Sequence, residues 1–492
     1  MAEEIVEPLP EALSEPALGD DELPPPPVKA LRFDRSIVEG PLTAAVWKMA
    51  WPAVLTNLIS GLQGWVDQIM VGNLIGYQAN AAIGAALQIF LLVITFVGSI
   101  FIGMSVLVSR FTGANDHEKV NRTVYQGFIT AIFISLGILA PIGYFAAPSL
   151  LDLIHAKPDV AAEALPFLRI MFTCSIGMLI YFMLSGSLRA AGDARTPMVL
   201  GITMNVLNMG LNIILIRGLG PIPSFGTAGS AMGTCIASGS VGIYSLYKLY
   251  KGSWVISFPR KGYAPDWKLI RQLFKFGLPA GIQGIAMNIG GVLMYGFMGS
   301  LLLSEETQAV YAVCYGQLFL LVTWSSNALM GASAAVTGQN IGAGHPDRAA
   351  AAVKTAAAFG LSGAVFVGLF FFFIPQQLLG IFGMQEPKVV EIGIELLRVL
   401  SVSGLFISMA LAYTGGLQGS GDTKSPLYIS IISQVILPVG VCYVIKHTST
   451  LEPLHIWLAI LTGHLTRFIL SYRRFNQQRW RSITVDIERT AG

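Results

Sequence analysis

Charged residues are scarce in this chain of 492 residues, where Asp, Glu, Lys and Arg together make up 12% of the sequence. A soluble globular domain carries about 25% charged residues. Hydrophobic residues make up 53% of the chain, and its mean hydropathy is +0.64. This balance excludes a water-soluble fold for most of the chain and indicates a protein of the lipid bilayer.

Cysteine and net charge are low as well. The four cysteines lie inside apolar stretches without the spacing of metal ligands. A disulfide framework, a cysteine-based metal site and a cofactor are therefore not expected. The formal net charge of +3 is too small to predict a nucleic-acid partner.

Apolar runs recur along the whole chain, and each is long enough to cross a hydrocarbon core of about 30 Å. Backbone groups in lipid must be satisfied internally, so we predict that these runs are helices. The fold class is therefore an all-α membrane protein. We count twelve runs, at about 48–72, 81–110, 121–145, 164–187, 196–216, 226–249, 269–300, 308–337, 350–374, 391–416, 425–446 and 453–472.

The basic residues are distributed unevenly between the two sides of this topology. If alternate loops face opposite sides, one side receives 25 Lys and Arg residues and the other receives four. The positive-inside rule makes the richer side, which holds both termini, cytoplasmic. A miscounted helix would scramble this asymmetry, so it also supports the count of twelve. We predict a multi-pass protein of the plasma membrane, a bacterial inner membrane, with both termini in the cytoplasm.

Two segments of the chain are repeated 229 residues further on. LSGSLRAAGDARTP at 184–197 returns as YTGGLQGSGDTKSP at 413–426, and GANDHEKV at 113–120 returns as GAGHPDRA at 342–349. Duplicated apolar units are a common construction of secondary transporters, with the substrate path between the copies. Transport is therefore the leading functional hypothesis.

The duplication predicts two lobes of six helices each. An even number of helices inserts both lobes in the same orientation, so a pseudo-two-fold axis should run along the membrane normal. Residues 1–40 contain ten acidic residues and a run of prolines, which is typical of a disordered tail. The predicted domains are 1–40 acidic cytoplasmic tail, 41–251 first lobe, 252–266 cytoplasmic linker, 267–475 second lobe and 476–492 cytoplasmic tail.

The repeated motifs themselves predict helix ends rather than chemistry. Gly192 and Gly421 suit the left-handed conformation that ends a helix, and Asp193 and Asp422 suit the cap of the next one. In GANDHEKV and GAGHPDRA the glycines are likewise expected to stop a helix. We interpret both pairs as architecture.

Among the 28 acidic residues, only Asp67 lies deep in a predicted spanning helix. A charge at that depth costs several kcal/mol on most scales, so such a residue is a functional candidate by default. Ser60, Gln63 and Asp67 share one helix face at i, i+3 and i+7. No Lys or Arg is predicted at comparable depth. Upstream, Pro52 can kink the same helix.

Polar stripes in the fifth and sixth helices could surround Asp67, or could hold the helices together. One stripe contains Asn205, Asn208 and Asn212, and the other contains Thr227, Ser230, Thr234 and Ser238. Asp67 could bind a proton, or Asp67, Asn208, Asn212 and Thr234 could coordinate Na⁺. This spacing does not choose between the two ions, and no other metal is predicted.

The second lobe has no buried acid in this topology. Its seventh helix offers Gln283, Met287, Asn288 and Tyr295, which with Gln63 are candidates for the lining of a substrate cavity. The eighth helix adds Tyr311, Tyr315, Gln317, Trp324 and Asn327. Aromatic, methionine and amide groups would suit an amphiphilic or cationic small molecule through stacking and cation–π attraction.

The membrane region resembles the multidrug and toxic compound extrusion family of cation-coupled antiporters. The resemblance covers about 45–470 and rests on MAWPAVLTNLISGLQGWVDQIMVGNL, LRAAGDARTP, NVLNMGLNIILI, GLPAGIQ, VTGQNIGAGHPDRA and LQGSGDTKSP in this order. It implies two V-shaped lobes, alternating access, and efflux of organic cations or other amphiphiles against H⁺ or Na⁺.

Residue by residue, Pro52 matches the family's kink proline and Asp67 its first-helix acid, while Asn208 and Thr234 match its fifth- and sixth-helix polar residues. Asn212 stands where many bacterial members have a second Asp. Met287 lies close to where other members place a seventh-helix Glu. With one carboxylate left, the resemblance favours H⁺ over Na⁺.

We therefore predict an antiporter that functions as a monomer in the bilayer and is not an enzyme. The main alternative is a flippase for lipid-linked saccharides, which would need basic residues in the cavity and extra helices; the sequence indicates neither. A membrane enzyme would need convergent catalytic groups at depth, and Asp67 stands alone. A passive channel would show no coupling to an ion gradient.

Overall fold

The computed structural model describes residues 33–75, 77–153, 158–259 and 262–484. Within these ranges the long elements are all helices, and no β-strand is present. Each long helix overlaps one of the twelve predicted runs, and its ends differ from the predicted ones by up to eight residues. We number the twelve long helices α1 Leu42–Leu74, α2 Tyr77–Gly113, α3 His117–Leu153, α4 Pro158–Thr173 with Ile176–Ala190, α5 Arg195–Arg217, α6 Gly226–Lys251, α7 Trp267–Gly299, α8 Ser304–Gly342, α9 Pro346–Phe373, α10 Pro387–Gly419, α11 Lys424–Thr448 and α12 Pro453–Asn476.

Most of these helices are long and apolar enough to cross a membrane. In the described residues nine meet that requirement individually, and the two segments of α4, bent by 52°, make a tenth if they form one span. The other two are α1, which carries Asp67, and α6, which carries the stripe of Gly, Ser and Thr residues. These two helices border the candidate site described below.

The two lobes meet through pairs of helices that the internal symmetry exchanges. Helix α1 packs on α8, and the equivalent pair is α7 on α2. Each lobe has its own buried apolar cluster, one centred on α2, α3 and α4 and the other on α8, α10 and α12. The all-α, two-lobe, twelve-helix architecture is confirmed.

Helices α2 and α8 also cross each other directly, at the end of the bundle where α1 begins and α2 ends. We call this the basic end; it is the predicted cytoplasmic side. A Cβ at Gly113 would lie 1.9 Å from the carbonyl oxygen of Gln339, and a Cβ at Gly342 would lie 2.0 Å from that of Arg110. Positions 113 and 342 are symmetry equivalents, as are 110 and 339. Only glycine permits this reciprocal contact of backbones.

The prediction that these two glycines stop their helices is therefore incomplete. They are the last helical residues, but the left-handed residues of the turns are Asn115, with φ of 58°, and Gly344, with φ of 81°. In the other repeated motif the prediction is confirmed. Gly192 and Gly421 have φ of 96° and 90°, and the carboxylates of the following aspartates accept hydrogen bonds from the first turns of α5 and α11.

The tail prediction is wrong for its last residues, and residues 1–32 lie outside the described ranges. Phe33 stacks on His117 with ring centroids 3.7 Å apart, and Ile37 is fully buried in a short helix, Ser36–Glu39. Asp34 pairs with Lys48 of α1. Partial burial acts to raise the pKa of Asp34, but hydrogen bonds from Lys48 and Ser36 outweigh it and leave that pKa below its usual value. These contacts anchor the chain just before α1.

Candidate functional site

Asp67 lies on the face of α1 that meets α5, and both of its carboxylate oxygens accept hydrogen bonds from amides. Asn212 Nδ2 donates to Oδ1 over 3.0 Å, and Gln63 Nε2 donates to Oδ2 over 2.9 Å. Gln63 lies one helical turn before Asp67, as its spacing requires. The predicted stripe on α1 therefore converges on one carboxylate.

A second set of contacts ties this group to α5 and α6. Gln63 Nε2 also donates to Asn208 Oδ1 over 2.5 Å, and Asn208 Nδ2 donates to Thr234 Oγ1 over 3.0 Å. Asn208 and Asn212 are 2% and 0% exposed, so their amides depend on these bonds for pairing. The structure thus brings together Asp67, Asn208, Asn212 and Thr234, the four residues that the sequence proposed for cation binding.

Glycine 233 on α6 makes room for this arrangement. A Cβ at Gly233 would lie 2.1 Å from Asn212 Oδ1. Asn205, at the other end of the α5 stripe, donates to Ser60 Oγ over 3.1 Å. Both contacts hold α1, α5 and α6 in register along the polar faces, so the stripes also serve the helix-joining role that the sequence left open.

Asp67 borders a cavity of about 650 Å³ inside the first lobe. Its wall contains apolar side chains such as Phe90, Met171 and Met204 beside the polar group. Helix α8 of the second lobe closes one side with Gln317 and Trp324. The volume is within the range of about 300–1,000 Å³ that is usual for small-molecule sites.

Trp324 is held firmly against α1. Its indole fills the space above Gly61, where a Cβ would overlap the ring at 2.0 Å, and its carbonyl accepts from Asn57 Nδ2 over 3.0 Å. Trp65 lies beside it, with ring centroids 6.5 Å apart. The sequence offers Trp324 as a candidate for the cavity lining, and the structure places it in the wall.

No basic side chain pairs with Asp67 among the residues that the structure describes. The same ranges contain no group of three or more His, Cys, Asp or Glu side chains arranged for a metal ion. The carboxylate therefore has two amide donors and open lone pairs toward a cavity. Such a group can bind one small cation, and the four-residue set is where that cation would be held.

Two arginines lie inside the bundle rather than at its surface. Arg467 of α12 is 2% exposed inside the second lobe, near His464 and Tyr315. Arg189 of α4 lines a second cavity, between the lobes. The expectation that no basic residue lines a cavity is therefore wrong. Both arginines fall near the basic ends of their helices, so the loop-counting rule assigned them to the surface.

The α7 candidates do not join Asp67. Gln283 is buried and donates to Ser430 Oγ over 2.9 Å, away from both cavities. Met287 is 37% and Tyr295 is 41% exposed, and Asn288 donates to the carbonyl oxygen of Gly284, one turn earlier in its own helix. Of the proposed cavity residues, Gln63 of α1 lines the 650 Å³ cavity, as do Gln317, Trp324 and Asn327 of α8. A substrate role for the α7 residues stays a prediction.

Helix α1 runs without interruption through Pro52, and Thr56 Oγ1 donates to the Pro52 carbonyl over 2.7 Å. The proline removes one backbone donor from the helix ladder at this position. Bending of α1 at Pro52 stays a prediction.

Two lobes of six helices, joined across an internal pseudo-two-fold axis and containing an isolated carboxylate beside a cavity, define a secondary transporter by fold and site. Comparison with known families agrees. The MatE family model matches residues 52–214 and 279–444, and this chain belongs to that family of multidrug and toxic compound extrusion transporters.

Curated relatives align over most of their length. The chain is 27% identical to the probable multidrug resistance protein YoeA of Bacillus subtilis, over 86% of this chain and 90% of YoeA. It is 26% identical to the probable multidrug resistance protein NorM of Thermotoga maritima, over 88% of this chain and 92% of NorM.

Solved structures share the fold. An outward-facing multidrug resistance MATE family transporter superimposes with a TM-score of 0.84 and 20% identity, over 91% of this chain and 98% of that one. A MOP superfamily transporter from Pyrococcus furiosus gives a TM-score of 0.82 and 21% identity, also over 91% and 98%. At these identities the likeness concerns the fold alone.

Proposed function

We propose that this protein exports organic cations and other amphiphilic compounds in exchange for protons, by alternating access. The observation that carries the proposal is the Asp67 carboxylate, which borders the 650 Å³ cavity, is enclosed by three helices and has no basic partner in the described part of the chain. A lone carboxylate in this setting can alternate between a charged and a neutral form, which is what coupling requires.

The contacts of Asp67 favour a proton over Na⁺. Sodium would need several oxygen atoms directed at one point, but Gln63 and Asn212 present N–H groups to the carboxylate. Asp67 supplies the single negative charge of the four-residue set, because Asn208 and Asn212 are amides and Thr234 is an alcohol. A proton needs a single free lone pair, which Asp67 has on the cavity side.

Coupling follows if proton binding favours one conformation over the other. In the described structure the basic end is closed, because Arg110 Nη2 donates to the Ser420 carbonyl and Gln339 Nε2 donates to the Ala190 carbonyl, at 2.8 and 2.7 Å. We propose that this end opens to the cytoplasm in the opposite state. Bending of α1 at Pro52 would accompany proton binding and substrate release.

The substrate class rests on the cavity and on the relatives. The wall combines aromatic, methionine and amide groups, a combination suited to amphiphiles. YoeA and NorM are named as probable multidrug resistance proteins. We infer a small-molecule substrate rather than a chemical reaction, and a single chain in the plasma membrane, with both termini cytoplasmic, as the working unit.

The test is dye transport by the purified full chain in proteoliposomes. Acid-inside vesicles at equal sodium, and sodium-loaded vesicles at equal pH, would each be given the cationic dye rhodamine 123. We expect wild type to accumulate dye in the acid-inside vesicles. Asp67→Asn should accumulate dye at least about tenfold more slowly, a difference of roughly 1.4 kcal/mol.

Asp159→Asn provides the matched control, because Asp159 is an exposed acid in the first turn of α4. It makes the same chemical change outside the site and should transport as wild type does. Equal transport by Asp67→Asn and wild type would contradict the proposal. Accumulation that follows only the sodium gradient would retain the exporter and replace the proton by Na⁺.

A further inference from the structure

The second cavity lies on the internal symmetry axis between the two lobes and holds about 410 Å³. Its walls come from α2 and α4 of the first lobe and from α8 and α10 of the second, which are equivalent pairs under the 229-residue offset. The contacts of Gln339 and Arg110 described above close it toward the basic end. The volume is sufficient for a small organic molecule.

Arg189 is the single charged side chain lining this cavity in the described part of the chain. Within the described ranges its guanidinium makes no hydrogen bond and no ion pair, and the group that interacts with it electrostatically is the neutral phenol of Tyr181. The nearby acids of the repeated motifs have other partners, because Asp193 caps α5 and Asp422 pairs with Arg474. A desolvated cation without an acidic partner is costly, so a cavity lined by such a cation is suited to bind an anion.

The symmetry shows that the charge is not required by the architecture. Position 189 corresponds to position 418, and Gln418 lines the same cavity from the second lobe. At the equivalent position of the second lobe, near the end of α10, the side chain is therefore a neutral amide. Arginine at 189 is therefore a specific feature of the first lobe.

The remaining wall indicates what kind of anion fits. Apolar groups such as Ile94, Phe182 and Met330 line the same cavity, and the hydroxyl of Ser105 donates to its own helix. One guanidinium matches one carboxylate in a two-point contact. A pyrophosphate carries more charge than a single arginine compensates, which disfavours a lipid-linked saccharide here.

We propose that Arg189 forms a binding subsite for the carboxylate of an amphiphilic substrate in the inter-lobe cavity. The cavity adjoins that of Asp67, since Leu91 and Asn327 line both. A molecule with an amine and a carboxylate would meet opposite charges in neighbouring spaces. This inference rests on the proposed export function and narrows its substrates to include zwitterionic and acidic amphiphiles.

The experiment compares two dyes that differ in one group, the zwitterion rhodamine 110 and its methyl ester, rhodamine 123. Transport of each would be measured in the proteoliposomes described above, for wild type, Arg189→Gln and Arg189→Lys. We expect Arg189→Gln to raise the KM for rhodamine 110 by about tenfold or more, the usual effect of a lost charged hydrogen bond. The ester should change less than twofold, and Arg189→Lys should recover part of the preference.

Gln418→Leu is the matched control, because it removes a polar group from the equivalent position without removing charge. It should leave the ratio of acid to ester unchanged. Equal effects of Arg189→Gln on both dyes, or an effect on neither, would overturn the subsite.

Binding separates this inference from the export function. If wild type transports neither dye, the proposed export of such compounds fails. Fluorescence anisotropy with the purified chain then decides the subsite alone. Weaker binding of rhodamine 110 to Arg189→Gln than to wild type supports it, and equal or undetectable binding to both overturns it.

Discussion

Replacing Gly342 by alanine should open the basic end of the transporter. The new methyl carbon would lie 2.0 Å from the Arg110 carbonyl oxygen, whereas an ordinary contact of this kind is about 3.4 Å or more. The obstacle is backbone, so it cannot rotate away. Helices α2 and α8 must separate by more than 1 Å at their crossing, on the order of the overpacking that costs about 1–3 kcal/mol.

This cost falls on the closed state alone, because the helices are already apart when the basic end is open. A differential of about 1–3 kcal/mol shifts a two-state equilibrium by roughly 5- to 150-fold. The same reasoning applies to Gly113→Ala, whose Cβ would lie 1.9 Å from the Gln339 carbonyl. The two variants should behave alike, since the symmetry makes their contacts reciprocal.

The assay is thiol labelling of a cysteine placed at Ser105, which lines the inter-lobe cavity. The four native cysteines would be replaced by serine, and a membrane-impermeant maleimide applied to inside-out membrane vesicles. Gly342→Ala should raise the labelling rate within the range given above. Gly331→Ala is the control on the same helix, because a Cβ there meets nothing within 4 Å. Wild-type labelling rates in both Gly342→Ala and Gly113→Ala would refute the reasoning.

Three further substitutions test other parts of the description. Asn212→Asp would place a second carboxylate about where an amide nitrogen now lies 3.0 Å from Asp67 Oδ1. We expect dye accumulation by this variant to depend on a sodium gradient. An unchanged ion dependence would contradict the four-residue site. Pro52→Ala restores a backbone donor to α1. The thermal unfolding midpoint should therefore stay the same or rise, while the export rate should fall. An undiminished export rate would contradict a role for bending at Pro52. Arg467→Met replaces a buried cation, which has no acidic partner among the described residues, by an apolar group of similar length. Stability should rise by about 1–3 kcal/mol, measured by thermal unfolding, and a lower midpoint would contradict this expectation.

Hydropathy and spacing predicted the helices and the polar faces well. A helix of period 3.6 places residues three, four and seven apart on one side. The polar residues of α1 and of α5 therefore each form one face, and these two faces could be expected to meet. Asp67, Asn208 and Asn212 came together because polar groups in lipid must find each other. The repeat of 229 residues predicted the two lobes for a similar reason, since equal sequences form equal units.

The α7 residues show where such reasoning ends. On a helix with apolar residues on every side, polarity no longer distinguishes the face toward a partner from the face toward lipid. Gln283 and Tyr295 were therefore assigned to a cavity that they do not line. Their positions depend on how α7 rotates against α2 and α11, which is a matter of packing.

The amino-acid sequence by itself determined the number of helices, the duplication, the isolated acid and the amides around it, because each follows from local periodicity or from the cost of polar groups in lipid. Only the tertiary structure decided which glycines let α2 and α8 touch and which arginines face inward. The glycine contacts join residues more than two hundred positions apart, as between Gly113 and Gln339. No local pattern encodes the distance between two helices or the direction in which a long basic side chain extends.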